Sequence, residues 1–148
     1  MLKKAVEIAV RAHEGQRDKG DHPYITHPLR VMLAVGIEDE ALASIAVLHD
    51  VVEDSEVTLA DLAKAGFLPR VTEALALLTH ARGEPYMKYV ARLSENPDAL
   101  RVKLADLADN LDETRLPEPP SEADLRRRLK YQAAQDFLLK QSARSIPG

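Results

Sequence analysis

A chain of 148 residues is long enough for one domain with a core of its own, and 45% hydrophobic with 30% charged residues reads as soluble and globular. The formal charge of −4 offers no global attraction to nucleic acid or an anionic membrane. No apolar run approaches the ~18–20 residues of a membrane span, and the two early lysines lead into no signal-peptide core. The absence of cysteine excludes disulfides and thiolate metal sites and fits a reducing cytoplasm, while the 4% of aromatics leaves Leu, Val, Ile and Ala to build a helical core.

In chain order, residues 3–14 predict a helix, with Ala5, Ile8, Ala9 and Ala12 at helical spacing and Gly15 as its stop. A polar loop, Gly15 to Pro23, runs into Tyr24-Ile25-Thr26-His27-Pro28. Pro28 suits a first helical turn, continued by Leu29–Val35 to Gly36. A central helix is expected from Asp39 or Glu40 to about Asp54, with Leu42, Ile45, Ala46, Leu48 and Val52 as its apolar face. Thr58 and Asp61 form a weak capping box for a short helix closed by Gly66, and Pro69 starts another. His80–Pro85 reads as a loop and 85–95 as a short helix. From Pro97 a helix is expected to about Thr114, with Leu100, Leu104, Leu107 and Leu111 on its apolar side. A proline break, Leu116–Pro120, precedes a last helix capped by Ser121 and running to about Lys140. The expectation is an all-α fold: one compact bundle of about seven or eight helices over residues 1–140, with a frayed tail at 141–148.

The chemistry gathers around Leu48-His49-Asp50-Val51-Val52-Glu53-Asp54. One imidazole and three carboxylates on a largely apolar helix are costly to bury unless a cation or partner offsets them, and a divalent metal is the simplest such cation. Adjacent residues are separated by roughly 100° on a helix, so His49 and Asp50 reach one ion only at a helix edge or turn. His27, before a proline at a helix start, is the best second histidine, although lone histidines are more often structural. Asp106, in the apolar stretch Val102–Ala108, is the best remaining acid; the competing reading is an ion pair with Lys103. Two histidines and two aspartates favour Mn²⁺, Fe²⁺ or another octahedral divalent ion, which would acidify a bound water and polarise a phosphoryl oxygen. Glu53 and Asp54 would then serve proton transfer beside the ion.

Lys19, Lys103 and Arg115 could contact a substrate phosphate, and Tyr24 could line the pocket. His13 and His80 have no obvious partner and read as structural. Arg126-Arg127-Arg128 reads as a solvated helix face rather than a nucleic-acid patch, because successive residues diverge around a helix and Glu122 and Asp124 lie nearby.

His27, His49-Asp50 and Asp106 match the H…HD…D pattern of the HD phosphohydrolase superfamily. Together with Ala12–Gln16, Pro23–Pro28, His49–Ser55 and Val102–Asp106, they resemble the hydrolase domain of RelA/SpoT-type proteins and the small stand-alone alarmone hydrolases, over roughly residues 3–140. The resemblance implies an all-helical fold, Mn²⁺ on His27, His49, Asp50 and Asp106, and a Glu53/Asp54 pair acting on the attacking water. In that family the 3′-pyrophosphate of (p)ppGpp is removed. Two departures stand out. The family's Arg-Lys-Ser-Gly-Glu before Pro-Tyr-Ile is here Asp18-Lys19-Gly20-Asp21-His22, so Asp18 replaces the arginine that packs on guanine, with Arg17 as a neighbouring substitute. The family's Arg-Leu-His-Asn-Met-Arg after the last metal aspartate is here Leu107–Asp112, which keeps Asn110 and loses the histidine and both arginines. Fewer cations and more acids suit a polyanion poorly.

The resulting expectation is a metal-dependent phosphohydrolase acting on a phosphate ester or pyrophosphate of a nucleotide-like small molecule, without nucleic-acid or membrane partners. Lys103 and Asn110 are expected to face the substrate. The alternatives are a stand-alone (p)ppGpp 3′-pyrophosphohydrolase and a non-catalytic HD module that binds a nucleotide. The oligomeric state is not encoded in any motif.

Overall fold

The computed structural model describes residues 1–112 and 119–144. Arg115, the first part of the proline break and the end of the tail lie outside them. The described residues form nine helical segments: α1 Leu2–Ala12, α2 Thr26–Val35, α3 Glu40–Leu48, α4 Val51–Asp54, α5 Leu59–Lys64, α6 Pro69–Leu78, α7 Tyr86–Leu93, α8 Pro97–Asn110 and α9 Glu122–Arg144. No strand occurs among them; the one β-bridge, Arg17 with Pro23, closes the first loop.

The sequence pattern gives α3 one apolar face, but every residue from Ala41 to Leu48 is buried. A helix that is apolar all round belongs inside, and α3 packs on α1, α2, α6 and α8. Its one polar interior residue, Ser44, is satisfied because its hydroxyl donates to the Glu40 carbonyl at 2.7 Å. At its start the Asp39 carboxylate accepts from the Leu42 N–H, and Arg70 ties Asp39 to Asp98, joining the N-terminal ends of α3, α6 and α8.

The expected continuous helix from Glu40 to Asp54 is interrupted. It stops at Leu48 and resumes at Val51 as a single turn. The His49 N–H reaches back only to the Ala46 carbonyl, a three-residue spacing, and Asp50 sits at φ −102°. Two adjacent residues on a regular helix diverge too far to share an ion; this junction lets them converge.

Other boundaries shift by a few residues. The second helix begins at Thr26, ahead of Pro28. The eighth ends at Asn110 rather than Thr114, with Leu111 as its cap, and the ninth continues through Arg144. The capping box is complete: Thr58 Oγ1 accepts from the Asp61 N–H and Asp61 returns the bond to the Thr58 N–H. The core is aliphatic, as composition demands, with Phe67 and Tyr89 its only buried aromatics among the described residues.

One ion pair fixes the bend between α6 and α7. Arg92 donates to both Glu84 carboxylate oxygens, at 2.7 and 2.8 Å, and to the Leu77 and Thr79 carbonyls. The Arg92 guanidinium, with the Ala81 N–H and His80 nearby, lowers the Glu84 carboxyl to about 2 from an ordinary 4.5. A depressed carboxyl stabilises the fold above its unfolded value and loses that contribution as pH falls through its folded one. The melting temperature of the wild type is therefore expected to fall more steeply than that of Glu84→Gln between pH 4.5 and 2. Parallel thermal melts across that window check it, and parallel curves would refute it.

Candidate metal centre

Three elements bring the four predicted ligands together: α2 supplies His27, the α3–α4 junction His49 and Asp50, and α8 Asp106. One donor atom from each lies within 4.8 Å of all the others. His27, His49 and Asp106 are each 5% exposed, so the cluster forms a buried floor. Asp106 Oδ1 lies 2.9 Å from His27 Nε2 and 3.3 Å from His49 Nε2, while Asp50 Oδ2 is 3.0 Å from His49 Nε2 and 3.7 Å from His27 Nε2. Both imidazoles thus present Nε2 to the same two carboxylates. Two imidazole nitrogens and two carboxylate oxygens, converging and buried without thiolates, fit a divalent cation of the kind that takes mixed N/O ligands.

The surroundings hold those carboxylates in place. Burial alone would raise the Asp106 carboxyl, but Lys103 and the two imidazoles outweigh it and keep it well below the usual range. Lys103 Nζ donates to Asp106 Oδ2 at 2.9 Å and Asn110 Nδ2 to Asp106 Oδ1 at 3.0 Å. Asp106 therefore makes the ion pair with Lys103 and also belongs to the four-donor cluster. Tyr24 donates its hydroxyl to Asp50 Oδ2, so it braces a member of the cluster as well as lining the pocket. Burial, followed by the Asp50 charge, pushes the Tyr24 phenol far up and keeps it a donor.

Above the floor opens a cavity of about 520 Å³, within the range of small-molecule sites. Glu53 and Asp54 line it from α4. The Glu53 carboxylate accepts from the His80 backbone N–H, which gives His80 a part that its side chain did not advertise. Partial desolvation in the cavity pushes both carboxyls upward, reinforced by the Asp50 charge. His13, by contrast, is buried against Gln16 and Tyr24, as a structural histidine should be.

All five proposed substrate contacts line the cavity or its floor: Arg17, Lys19, Tyr24, Lys103 and Asn110. Several are already engaged. Arg17 donates to the Asp21 carbonyl and Lys19 pairs with Asp124 at 3.2 Å. Asp18 accepts from the Gly20 and His22 N–H groups, so the residue that replaces the family's arginine builds the loop.

The solvated-face reading of Arg126-Arg127-Arg128 needs correction. Arg126 is outside, with its side chain 73% exposed, but Arg127 and Arg128 line the cavity together with Lys130. The helix does splay the three, and that same splay turns two of them inward. Asp109 is likewise no bare added acid, since it is bonded to His27 and Arg30. All four tyrosines of the chain line the cavity. Tyr86, Tyr89 and Tyr131 escaped notice as site residues because their spacing on α7 and α9 is that of ordinary packing. Their collection beside Lys103 and Lys130 depends on how α7 and α9 meet.

No family model matches the chain. It is 36% identical over 121 residues to a GTP pyrophosphokinase of Streptomyces coelicolor, covering 74% of this chain and 14% of that protein. Against the guanosine-3′,5′-bis(diphosphate) 3′-pyrophosphohydrolase of Aquifex aeolicus it is 31% identical, covering 74% and 17%. The chain thus spans less than a fifth of the length of these curated relatives. A solved structure described as a metazoan orthologue of SpoT that hydrolyses ppGpp superposes with a TM-score of 0.74 at 26% identity, covering 95% of this chain and 84% of that one. An all-helical bundle whose floor carries His27, His49, Asp50 and Asp106 is an HD-type fold. Within that class the chain belongs to the family of the RelA/SpoT-type hydrolase domain.

Proposed function

We propose that the protein is a metal-dependent phosphohydrolase cleaving a phosphate ester or pyrophosphate of a nucleotide-like substrate. The observation that carries this reading is the convergence of four N/O donors on the buried floor of a cavity that Glu53 and Asp54 also line. His27, His49, Asp50 and Asp106 would hold the ion, most simply Mn²⁺. When bound, such an ion supplies Lewis-acid polarisation of a phosphoryl oxygen and acidifies a coordinated water. Glu53 and Asp54 take up a proton at their carboxylates, which their raised affinity for protons favours. Lys103 and the α9 cations face the charge that develops on the phosphoryl oxygens. The tyrosine wall offers a flat apolar surface to a base or ribose.

The narrower reading is a stand-alone (p)ppGpp 3′-pyrophosphohydrolase. It is supported by the names of the relatives and by the description of the metazoan structure. Helix α9 brings Arg127, Arg128 and Lys130 to the cavity together with Asp124, which pairs with Arg127.

The test is a hydrolysis screen of metal-stripped protein reloaded with Mn²⁺, on ppGpp, ordinary nucleotides and a simple phosphodiester. The double variant Glu53→Ala/Asp54→Ala is the control. Release of pyrophosphate from ppGpp alone supports the narrower reading. Turnover of other nucleotides supports the broader one. Tight nucleotide binding with no turnover of any substrate would overturn both in favour of a binding module.

A further inference from the structure

The ring of His27 is gripped on the side away from the cluster as well as toward it. Its Nδ1 lies 2.7 Å from Asp109 Oδ2. Asp109 is in turn held by Arg30, whose Nε donates to Oδ1 at 2.8 Å and whose Nη2 donates to Oδ2 at 3.0 Å. That is a two-pronged guanidinium–carboxylate bond, which fixes a carboxylate in direction as well as in charge. Arg30 stands three residues after His27 on α2, and Asp109 three residues after Asp106 on α8. Each clamp residue is therefore one turn along the helix that carries a cluster residue. The Asp109 side chain is 12% exposed and that of Arg30 is 32% exposed, so at the cavity wall the carboxylate is shielded while the guanidinium stays partly open to solvent.

A neutral imidazole has one N–H and one lone pair. To place the lone pair on Nε2, the proton must be on Nδ1, and an acceptor at Nδ1 fixes that choice and the plane of the ring. His49 has the same arrangement from a different source: its Nδ1 faces the Ala46 carbonyl at 2.6 Å. Both histidines thus have an acceptor behind them and turn Nε2 toward Asp50 and Asp106. The acceptor behind His49 is backbone, but the one behind His27 is a replaceable side chain.

We propose that Asp109, locked by Arg30, is the positioning residue of this centre, holding His27 with Nδ1 protonated and Nε2 aimed at the ion. The assignment rests on the reading of His27 as a metal ligand. It gives a purpose to an aspartate at a position where RelA/SpoT-type hydrolases carry a histidine, and to an arginine that the sequence motifs did not single out.

Mn²⁺ affinity, measured by calorimetry at 25 °C on metal-stripped protein, tests it without recourse to activity. Asp109→Ala is expected to weaken binding about 10–100-fold. Asp109→Asn should recover part of the loss, because an amide oxygen still accepts from Nδ1–H, and Arg30→Gln should weaken binding less than Asp109→Ala. In ¹⁵N-histidine spectra of protein loaded with diamagnetic Zn²⁺, His27 should show a protonated Nδ1 in the wild type and lose that protected proton in Asp109→Ala. A merely structural role would lower the melting temperature and leave both readouts alone. If Asp109→Ala does not fold, Asp109→Asn and Arg30→Gln decide by the same two measurements. Wild-type affinity and an unchanged Nδ1 signal in the variants would overturn the proposal. A wild type that binds no divalent ion would instead overturn the ligand reading on which it rests.

Discussion

Asp106→Ala is expected to lose both the metal and a substantial part of the fold's stability, whereas Asp50→Ala is expected to lose chiefly the metal. The difference follows from what each carboxylate holds. Asp106 is 5% exposed, accepts from Lys103 and Asn110, and lies against Nε2 of both His27 and His49. Its removal leaves the buried Lys103 ammonium without its carboxylate partner, and leaves the two imidazoles only Asp50, with Asp109 behind His27. Breaking a buried pair from one side costs about 3–5 kcal/mol. For a chain of this length that is a fall in melting temperature of roughly 6–20 °C. Asp50 sits at the rim of the same cluster, its side chain 18% exposed, bonded to the Tyr24 hydroxyl and His49. Its loss frees a phenol that cavity water can reach and leaves Asp106 to balance the imidazoles. In both variants a donor is missing from a four-donor set. Several kcal/mol of charge stabilisation go with it, which corresponds to roughly a thousandfold or more in turnover. Calorimetric Mn²⁺ binding and thermal melts of the two variants, run in parallel, check the contrast. Retained Mn²⁺ in Asp50→Ala would remove Asp50 from the ligand set, and equal melting losses would contradict the partner argument.

The same contrast explains what could be read from the sequence. His27, His49, Asp50 and Asp106 were legible because each is an ionisable residue in an apolar context, and such residues need partners wherever the chain folds. The helical periodicity marked most of the bundle. It could not show the break at His49-Asp50, since neither residue is Gly or Pro and apolar residues continue on both sides of the pair. The sequence left only the requirement that adjacent ligands meet at a turn, and the interruption meets it. Asp109 and Arg30 were invisible for the opposite reason. Each looks like an ordinary surface charge until α2 and α8 pack side by side. Arg127, Arg128 and the three tyrosines of α7 and α9 became site residues only through tertiary placement, with α9 lying along α7 and α8. Local pattern thus located the floor of the cavity, and packing supplied its walls.

That division bears on the carboxylates of α4, which line the cavity without belonging to the four-donor cluster. Glu53→Gln/Asp54→Asn is expected to lower turnover about 10²–10⁴-fold, the usual contribution of a positioned proton acceptor. Neither residue belongs to the four-donor cluster, so Mn²⁺ affinity should stay close to that of the wild type. Both are exposed and line the cavity, so the melting temperature should move little. Amides preserve shape and some hydrogen bonding but cannot take a proton, which separates loss of chemistry from loss of packing. In the Glu53→Gln change, the side-chain amide oxygen could still accept from the His80 N–H that now holds the Glu53 carboxylate. The single substitutions need not add, because two adjacent carboxylates can share one proton-transfer task. Metal content, melting temperature and single-turnover rate on the substrate found by screening are the three measurements required. Loss of metal in the double variant would make Glu53 or Asp54 a ligand. Undiminished turnover would take the proton-transfer role away from Glu53 and Asp54.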